Sequence, residues 1–255
     1  MPAKVYEKVA PVTVKIFCDR GRKIGSGVII GLTDKGRALI LTACHVVASN
    51  FEETDPDIGL ELYKDIVIKT TTDVKLVRAG VIQGFVDRSN DLTLLATVEP
   101  VLIDKVIQYS LTNKVKPGEK VAAFGYPARD KLSQTVGRIT RLESKYLVFD
   151  AKIRPGNSGG ALVDKNGRML GISTFVENET EGYALNMSLV LPIVEEWLRG
   201  IKLNKQWKLE KDNFPLWPVI GGGVALGVGG VLLWPRNGST ATPNVFPFPI
   251  RPTRN

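Results

Sequence analysis

Through most of the chain, apolar residues gather in blocks of five to seven, and turn-forming residues break the blocks apart. The blocks are VTVKIF (12–17), GVIIGL (27–32), ALILTA (38–43), DIVIKT (65–70), LTLLAT (92–97), KVAAFG (120–125), KYLVFD (145–150), GALVD (160–164) and RMLGIST (168–174). They are rich in Val, Ile, Leu and Thr, and several alternate apolar with polar positions, which is the signature of strands. Turn signals ending in glycine lie at 34–36, 116–118, 154–156 and 165–167. Many short strands at close spacing predict an all-β protein, a sandwich or barrel rather than an α/β sheet. One segment, VLPIVEEWLRGI (190–201), carries apolar residues at helical spacing and is read as a C-terminal helix closing the globular part.

Beyond that helix the pattern changes. Residues 202–213 read as a basic linker. No residue from Asn213 to Pro235 is charged, and WPVIGGGVALGVGGVLLW (217–234) is apolar throughout. As a helix, residues 218–234 span roughly 25 Å at ~1.5 Å per residue, close to the ~30 Å of bilayer hydrocarbon once flanking residues are added. Trp217 and Trp234 bracket the segment as interfacial aromatics do. Glycine this dense makes a poor soluble helix, and a solvated linker is not so apolar. Residues 214–235 are therefore read as a single transmembrane helix. Gly223 and Gly227 form a small-xxx-small pair through which two copies can approach as a homo-oligomer. The proline-rich, polar tail 236–255 is read as disordered.

Composition adds bounds. In 255 residues, 44% are hydrophobic and 24% charged, enough apolar material for a sizeable core. The net charge of +8 favours acidic surfaces, but the basic residues of the main body are scattered without a dense run, so no specific nucleic-acid ligand is expected. Cys18 and Cys44 are the only cysteines, too few for a disulfide framework, although one bridge between them stays open. The first twenty residues hold no apolar stretch of the signal-peptide kind. Lys202, Lys205, Lys208 and Lys211 precede the apolar segment, while Arg236, Arg251 and Arg254 follow it. The positive-inside rule then leans towards a cytoplasmic globular part.

The single histidine, His45, directly follows an apolar block in LTACHVV. A lone histidine is ordinarily a surface or core residue, but one at a strand end can face a cleft. As a general base it needs a carboxylate partner to fix its tautomer. Ser158, in RPGNSGGALVD, is the candidate nucleophile, because a hydroxyl beside a base and backbone donors is the arrangement that activates serine. The amides of Gly156 and Ser158 can form an oxyanion hole, and Gly159 and Gly160 are expected to let a substrate backbone pass close. A plain Asn-Ser-Gly turn is the competing reading. Asp91, opening the block in NDLTLLA, is the best third member, with Asp87 and Asp73 as alternatives and an exposed turn aspartate as the plain reading of each. GNSGG also matches the Gly-x-Ser-x-Gly elbow, but that fold needs the order Ser, acid, His, and no histidine follows Ser158. Cys44 reads as a small buried hydrophobe.

GSGVIIG (25–31), LTACHVV (41–47), NDLTLLA (90–96), VKPGEKVAAFGYP (115–127) and DAKIRPGNSGGALVDKNGRMLGIST (150–174) occur in that order. Together they resemble the core of trypsin-like serine proteases, closest to the bacterial HtrA type, over about residues 5–200. The resemblance implies two packed six-stranded β-barrels over residues 1–201 with an active site between them. It implies His45 as base, Asp91 as orienting acid, Ser158 as nucleophile, and the amides of Gly156 and Ser158 as oxyanion hole. It also implies acyl-enzyme hydrolysis of protein or peptide substrates without metal or organic cofactor. Two departures stand out. The residues after the barrels hold the apolar segment in place of a PDZ domain. Where trypsin carries an aspartate six residues before the nucleophile, this chain has Lys152. A pocket lined by Ile153, Ser173, Thr174 and Phe175 is expected, favouring small or medium apolar residues. The competing functional readings are a non-catalytic or latent binding module on the same fold, and a membrane scaffold.

Overall fold

A computed structural model describes residues 3–208, apart from 54, 56–57, 72–74, 104, 111–114, 128–130 and 178–179 and the side chains of 176–177. The apolar blocks are strands that curl into two closed sheets. The first comprises β1 (Thr13–Cys18), β2 (Lys23–Thr33), β3 (Ala38–Thr42), β4 (Ile66–Lys69), β5 (Val77–Asp87) and β6 (Leu92–Thr97). They run in the order β1-β4-β5-β6-β3-β2, closed by β1 pairing with β2. The second comprises β7 (Lys120–Gly125), β8 (Ser133–Leu142), β9 (Tyr146–Phe149), β10 (Ala161–Val163), β11 (Met169–Glu177) and β12 (Glu181–Asn186), closed as β10-β11-β12-β9-β8-β7. Neighbours pair antiparallel throughout. The two six-stranded barrels agree with the expected all-β class.

Burial explains the continuous apolar runs. β3 is buried at every position, and β2 at all but its ends. One hydrophobic cluster therefore joins the first barrel to Phe124, Val163, Met169 and Ile172 of the second. The register of β2 on β3 shifts between Ile29 and Gly31, a bulge that bends β2 and helps the sheet close.

Several elements differ from the pattern-based reading. An N-terminal helix, α1 (Ala3–Val9), buries Val5 and Val9. The helix expected at 190–201 is α3 (Met187–Leu198), which begins earlier because the Asn186 side chain accepts the Leu189 N–H at 3.0 Å as an N-cap. The region expected as a linker from 202 begins with a strand, β13 (Leu203–Gln206), added to the free edge of β2. Trp207 anchors it, buried against Tyr109 with ring centroids 5.1 Å apart. Residues 1–211 form one compact unit. Among the described residues, no helix is long and apolar enough to cross a membrane. The expected span 214–235, with Gly223 and Gly227, and the tail 236–255 lie outside the described residues.

Candidate active site

After Thr42 ends β3, Ala43 stays extended and the chain makes one helical turn, α2 (Cys44–Val47). Cys44, Val46 and Val47 are buried in that turn, which leaves His45 as the side chain directed outward, 26% exposed. Asp91 meets it from the residue before β6. Its Oδ2 lies 2.7 Å from His45 Nδ1, and its Oδ1 accepts the His45 backbone N–H at 2.9 Å. The Asp91 carbonyl also accepts the Cys44 N–H at 3.2 Å. A carboxylate on Nδ1 selects the tautomer protonated there and leaves Nε2 as the acceptor.

Asp91 reaches this position through a left-handed backbone, φ 53°, which is uncommon for a residue with a side chain. Asp87 builds the turn that imposes it. Its carboxylate accepts Ser89 Oγ at 2.6 Å, Asn90 Nδ2 at 2.7 Å and the Asn90 N–H at 3.0 Å. Burial works against ionisation of Asp87, but these donors outweigh it and hold its pKa below the usual 3.8. Asp87 thus shapes the loop and does not bond to the histidine. Asp73, the other alternative, lies outside the described residues. Arg88 ties the same loop to the carbonyls of Phe51 and Glu53, and the Phe51 ring lies 5.8 Å from that of His45.

Ser158 sits in a tight loop before β10. The N–H groups of Asn157, Gly159 and Gly160 go to the carbonyls of Arg154, Ser173 and Asn157 at 3.0, 2.7 and 2.9 Å. Among the described residues, the N–H groups of Gly156 and Ser158 have no backbone acceptor, and Gly156 takes φ 100°. Among the described residues, neither amide is committed to the loop's own backbone hydrogen bonds. The loop is fastened to the first barrel by a residue that motif reading passed over. Ser26 donates its N–H to the Ser158 carbonyl at 2.8 Å and its hydroxyl to the Gly156 carbonyl at 2.7 Å. Its hydroxyl also accepts the Tyr126 N–H at 2.8 Å. The sequence signal is GSG at 25–27, where a small polar residue stands between glycines in an otherwise apolar strand.

Gly159 and Gly160 do not make room for substrate. A Cβ on Gly159 would collide with Ser26 O and Thr42 Oγ1, and one on Gly160 with the Phe124 carbonyl. Their glycines are required by the protein's own backbone. The Ser158 hydroxyl donates to the Thr174 carbonyl at 2.9 Å, and among the described residues no hydrogen bond joins it to the His45 ring.

Of the expected pocket residues, Ile153, Ser173 and Thr174 are buried, and Phe175 is 43% exposed. Thr174 Oγ1 donates to the Tyr183 carbonyl at 3.2 Å, while Ser173 Oγ is buried without a hydrogen-bond partner among the described residues. Phe175 stacks on Tyr183, centroids 4.5 Å apart, and meets Tyr146 edge-on at 5.4 Å. Ile153 and Phe149 close around Gly182, leaving no space there for even a Cβ. Lys152 is exposed. Cys18 and Cys44 are free and buried, and desolvation, reinforced by Asp65 and Asp91 respectively, pushes both thiols up to about 12. Among the described residues, no group of three or more His, Cys, Asp or Glu side chains is arranged to hold a metal ion.

A family model described as a trypsin-like peptidase domain matches residues 25–172. The chain is similar to Serine protease Do-like HtrB of Bacillus subtilis, 31% identical over 199 residues, covering 71% of this chain and 40% of the relative. It is similar to the chloroplastic Protease Do-like 8 of Arabidopsis thaliana, 30% identical over 195 residues, covering 70% of this chain and 42% of the relative. The chain thus spans about two fifths of the length of these curated relatives. The crystal structure of a serine endoprotease from Yersinia pestis matches it with a TM-score of 0.62 at 27% identity, covering 81% of this chain and 76% of that chain.

Proposed function

The chain belongs to the trypsin-like peptidase family, and on that premise we propose that it is a serine endopeptidase acting through His45, Asp91 and Ser158. The observation that carries this reading is the two-point grip of Asp91 on His45, which leaves Nε2 as a proton acceptor. In the reaction, the Ser158 hydroxyl turns away from the Thr174 carbonyl, gives its proton to His45 Nε2 and attacks the scissile carbonyl carbon. The oxyanion is received by the amides of Gly156 and Ser158. His45 then returns the proton to the leaving amine, and the acyl-enzyme remains. A water molecule, deprotonated by the same ring, releases the second product. Ile153, Ser173, Thr174 and Phe175 form the side-chain pocket, suited to small or medium apolar residues. The chain is held to a membrane by residues 214–235, with the barrels on the cytoplasmic side, and pairs through Gly223 and Gly227.

Labelling of the full chain with a fluorophosphonate probe, beside Ser158→Ala and His45→Ala, tests the chemistry. Labelling lost in both variants supports an activated serine. Equal labelling of wild type and His45→Ala would refute the proposed base. A second reading, a latent enzyme, is favoured by one observation: the Ser158 hydroxyl is engaged by the Thr174 carbonyl. Slow wild-type labelling that accelerates when peptide substrate is added would favour it.

A further inference from the structure

The fold gathers into one groove five lysines that the sequence scatters. Lys4 and Lys8 come from α1, Lys105 from the segment between the barrels, and Lys205 and Lys208 from β13 and just beyond it. The groove has a volume of about 890 Å³, and Glu7 is the one acid among its described lining residues. All five lysines are exposed. β13 pairs with β2 at Gly31–Thr33, whereas Ser26, which fastens the nucleophile loop, is five residues back along the same strand. That is about 16 Å at ~3.3 Å per residue. A ligand in the groove therefore leaves the candidate active site free.

We propose that this groove docks the barrels onto the anionic headgroups of a phospholipid bilayer, an inference that rests on residues 214–235 being a membrane span. Lys208 lines the groove and lies six residues before Phe214, where the apolar run begins. Six residues reach at most about 20 Å when fully extended. Lysines this close in sequence to a span are juxtamembrane, and such lysines are drawn to an anionic headgroup surface. Lysine suits this role because its ammonium is a compact point charge that meets phosphate from any direction. A single-stranded nucleic-acid channel adds aromatic stacking platforms to its basic residues, and no aromatic occurs among the lining residues. Docking fixes the tilt of the barrels on the membrane and so the height above it at which Ser158 meets a polypeptide.

Vesicle flotation tests the proposal, using the compact unit 1–211 beside the full chain. The vesicles are phosphatidylcholine alone or mixed with phosphatidylglycerol. The 1–211 unit is expected to float only with the anionic vesicles and to be released by salt. The combined variant Lys4→Gln, Lys105→Gln, Lys208→Gln is expected to lose at least about tenfold in binding, with an unchanged melting temperature to show that it is folded. No binding of 1–211 to anionic vesicles overturns the proposal, and so does equal binding by the triple variant. Lysine-dependent binding of a single-stranded oligonucleotide without vesicle binding overturns it in favour of nucleic acid. The membrane span is read separately, from flotation of the full chain with neutral vesicles. Its failure there, with 1–211 still binding anionic vesicles, removes the span and supports the groove's affinity for lipid.

Discussion

Asp91 holds His45 by both of its carboxylate oxygens, Oδ2 at 2.7 Å from the ring Nδ1 and Oδ1 at 2.9 Å from the backbone nitrogen. The backbone bond fixes where the histidine stands, and the ring bond fixes which nitrogen carries the proton. Asp91→Asn separates the two functions. The amide can still accept the His45 N–H through its oxygen, but its NH2 then faces Nδ1 and favours the wrong tautomer. We expect kcat to fall by about 10⁴ while KM and the melting temperature change little. A loss below tenfold in steady-state peptide hydrolysis would remove Asp91 from the triad.

Asp87 should show its role through pH. Its folded pKa is depressed, so its contribution to stability is present above the ordinary carboxylate pKa of 3.8 and fades as pH falls through the lower folded value. Asp87→Ala removes an ionised, partly exposed acceptor of three hydrogen bonds. The expected cost near pH 7 is about 1 kcal/mol. Denaturant melts of both proteins should draw together as pH falls below 3.8. A gap that widens on acidification would contradict this account.

How far the sequence carries depends on how much of each signal is local. β3 and β6 are legible because ALILT and LTLLAT are nearly or wholly buried, which selects continuous apolar runs. β8 is not legible, because SQTVGRITRL is exposed or half-exposed along most of its length and carries little core signal. β13 is a polar LNKQ whose existence depends on the free edge of β2. His45, Asp91 and Ser158 stand out because each sits in a distinctive short motif in a telling chain order. Ser26 is obscured because a serine between glycines resembles a turn, and only the closed barrel turns its hydroxyl towards Gly156. The lysine groove joins positions from Lys4 to Lys208, and topology alone brings them together.

The thiol beside the histidine should be inert. Cys44 is fully buried, and desolvation with the nearby Asp91 charge pushes its pKa up to about 12, so at pH 8 only about one thiol in 10⁴ is ionised. Cys18 is in the same condition. Iodoacetamide at pH 8 should leave native protein unmodified and label both cysteines in denaturant, as read by mass spectrometry. Native labelling of Cys44 with matching loss of activity would show that the site opens.

Lys152 occupies the sequence position from which trypsin reads basic side chains, yet it is exposed, and Ile153 with Phe149 fills the space around Gly182. Placing an acid at 152 therefore should not create a buried counter-charge. Lys152→Asp is expected to leave the P1 preference as it is in the unaltered protein, read in a peptide-library digest. Conversion to cleavage after Lys or Arg would mean that residue 152 faces the substrate.

Ser26 offers the sharpest separation of positioning from simple packing. Its hydroxyl links the Gly156 carbonyl at 2.7 Å to the Tyr126 N–H at 2.8 Å, so Ser26→Ala leaves both buried partners short of a bond. The stability cost is about 1–3 kcal/mol, or a melting temperature lower by roughly 2–10 °C. If the hydroxyl only filled space, kcat would survive below the new melting temperature. If it positions Gly156 through that carbonyl, the Gly156 N–H, which belongs to the preceding Pro155–Gly156 peptide, loses its aim at the oxyanion, and kcat falls by about 10–100-fold, less than for outright removal of a donor. The pH dependence of kcat/KM should not move, because the Asp91–His45 pair is untouched. Peptide hydrolysis well below the melting temperature decides the matter: full kcat in a destabilised Ser26→Ala would reduce Ser26 to a structural residue. A large fall in kcat with an unshifted pH profile would assign it to the oxyanion hole.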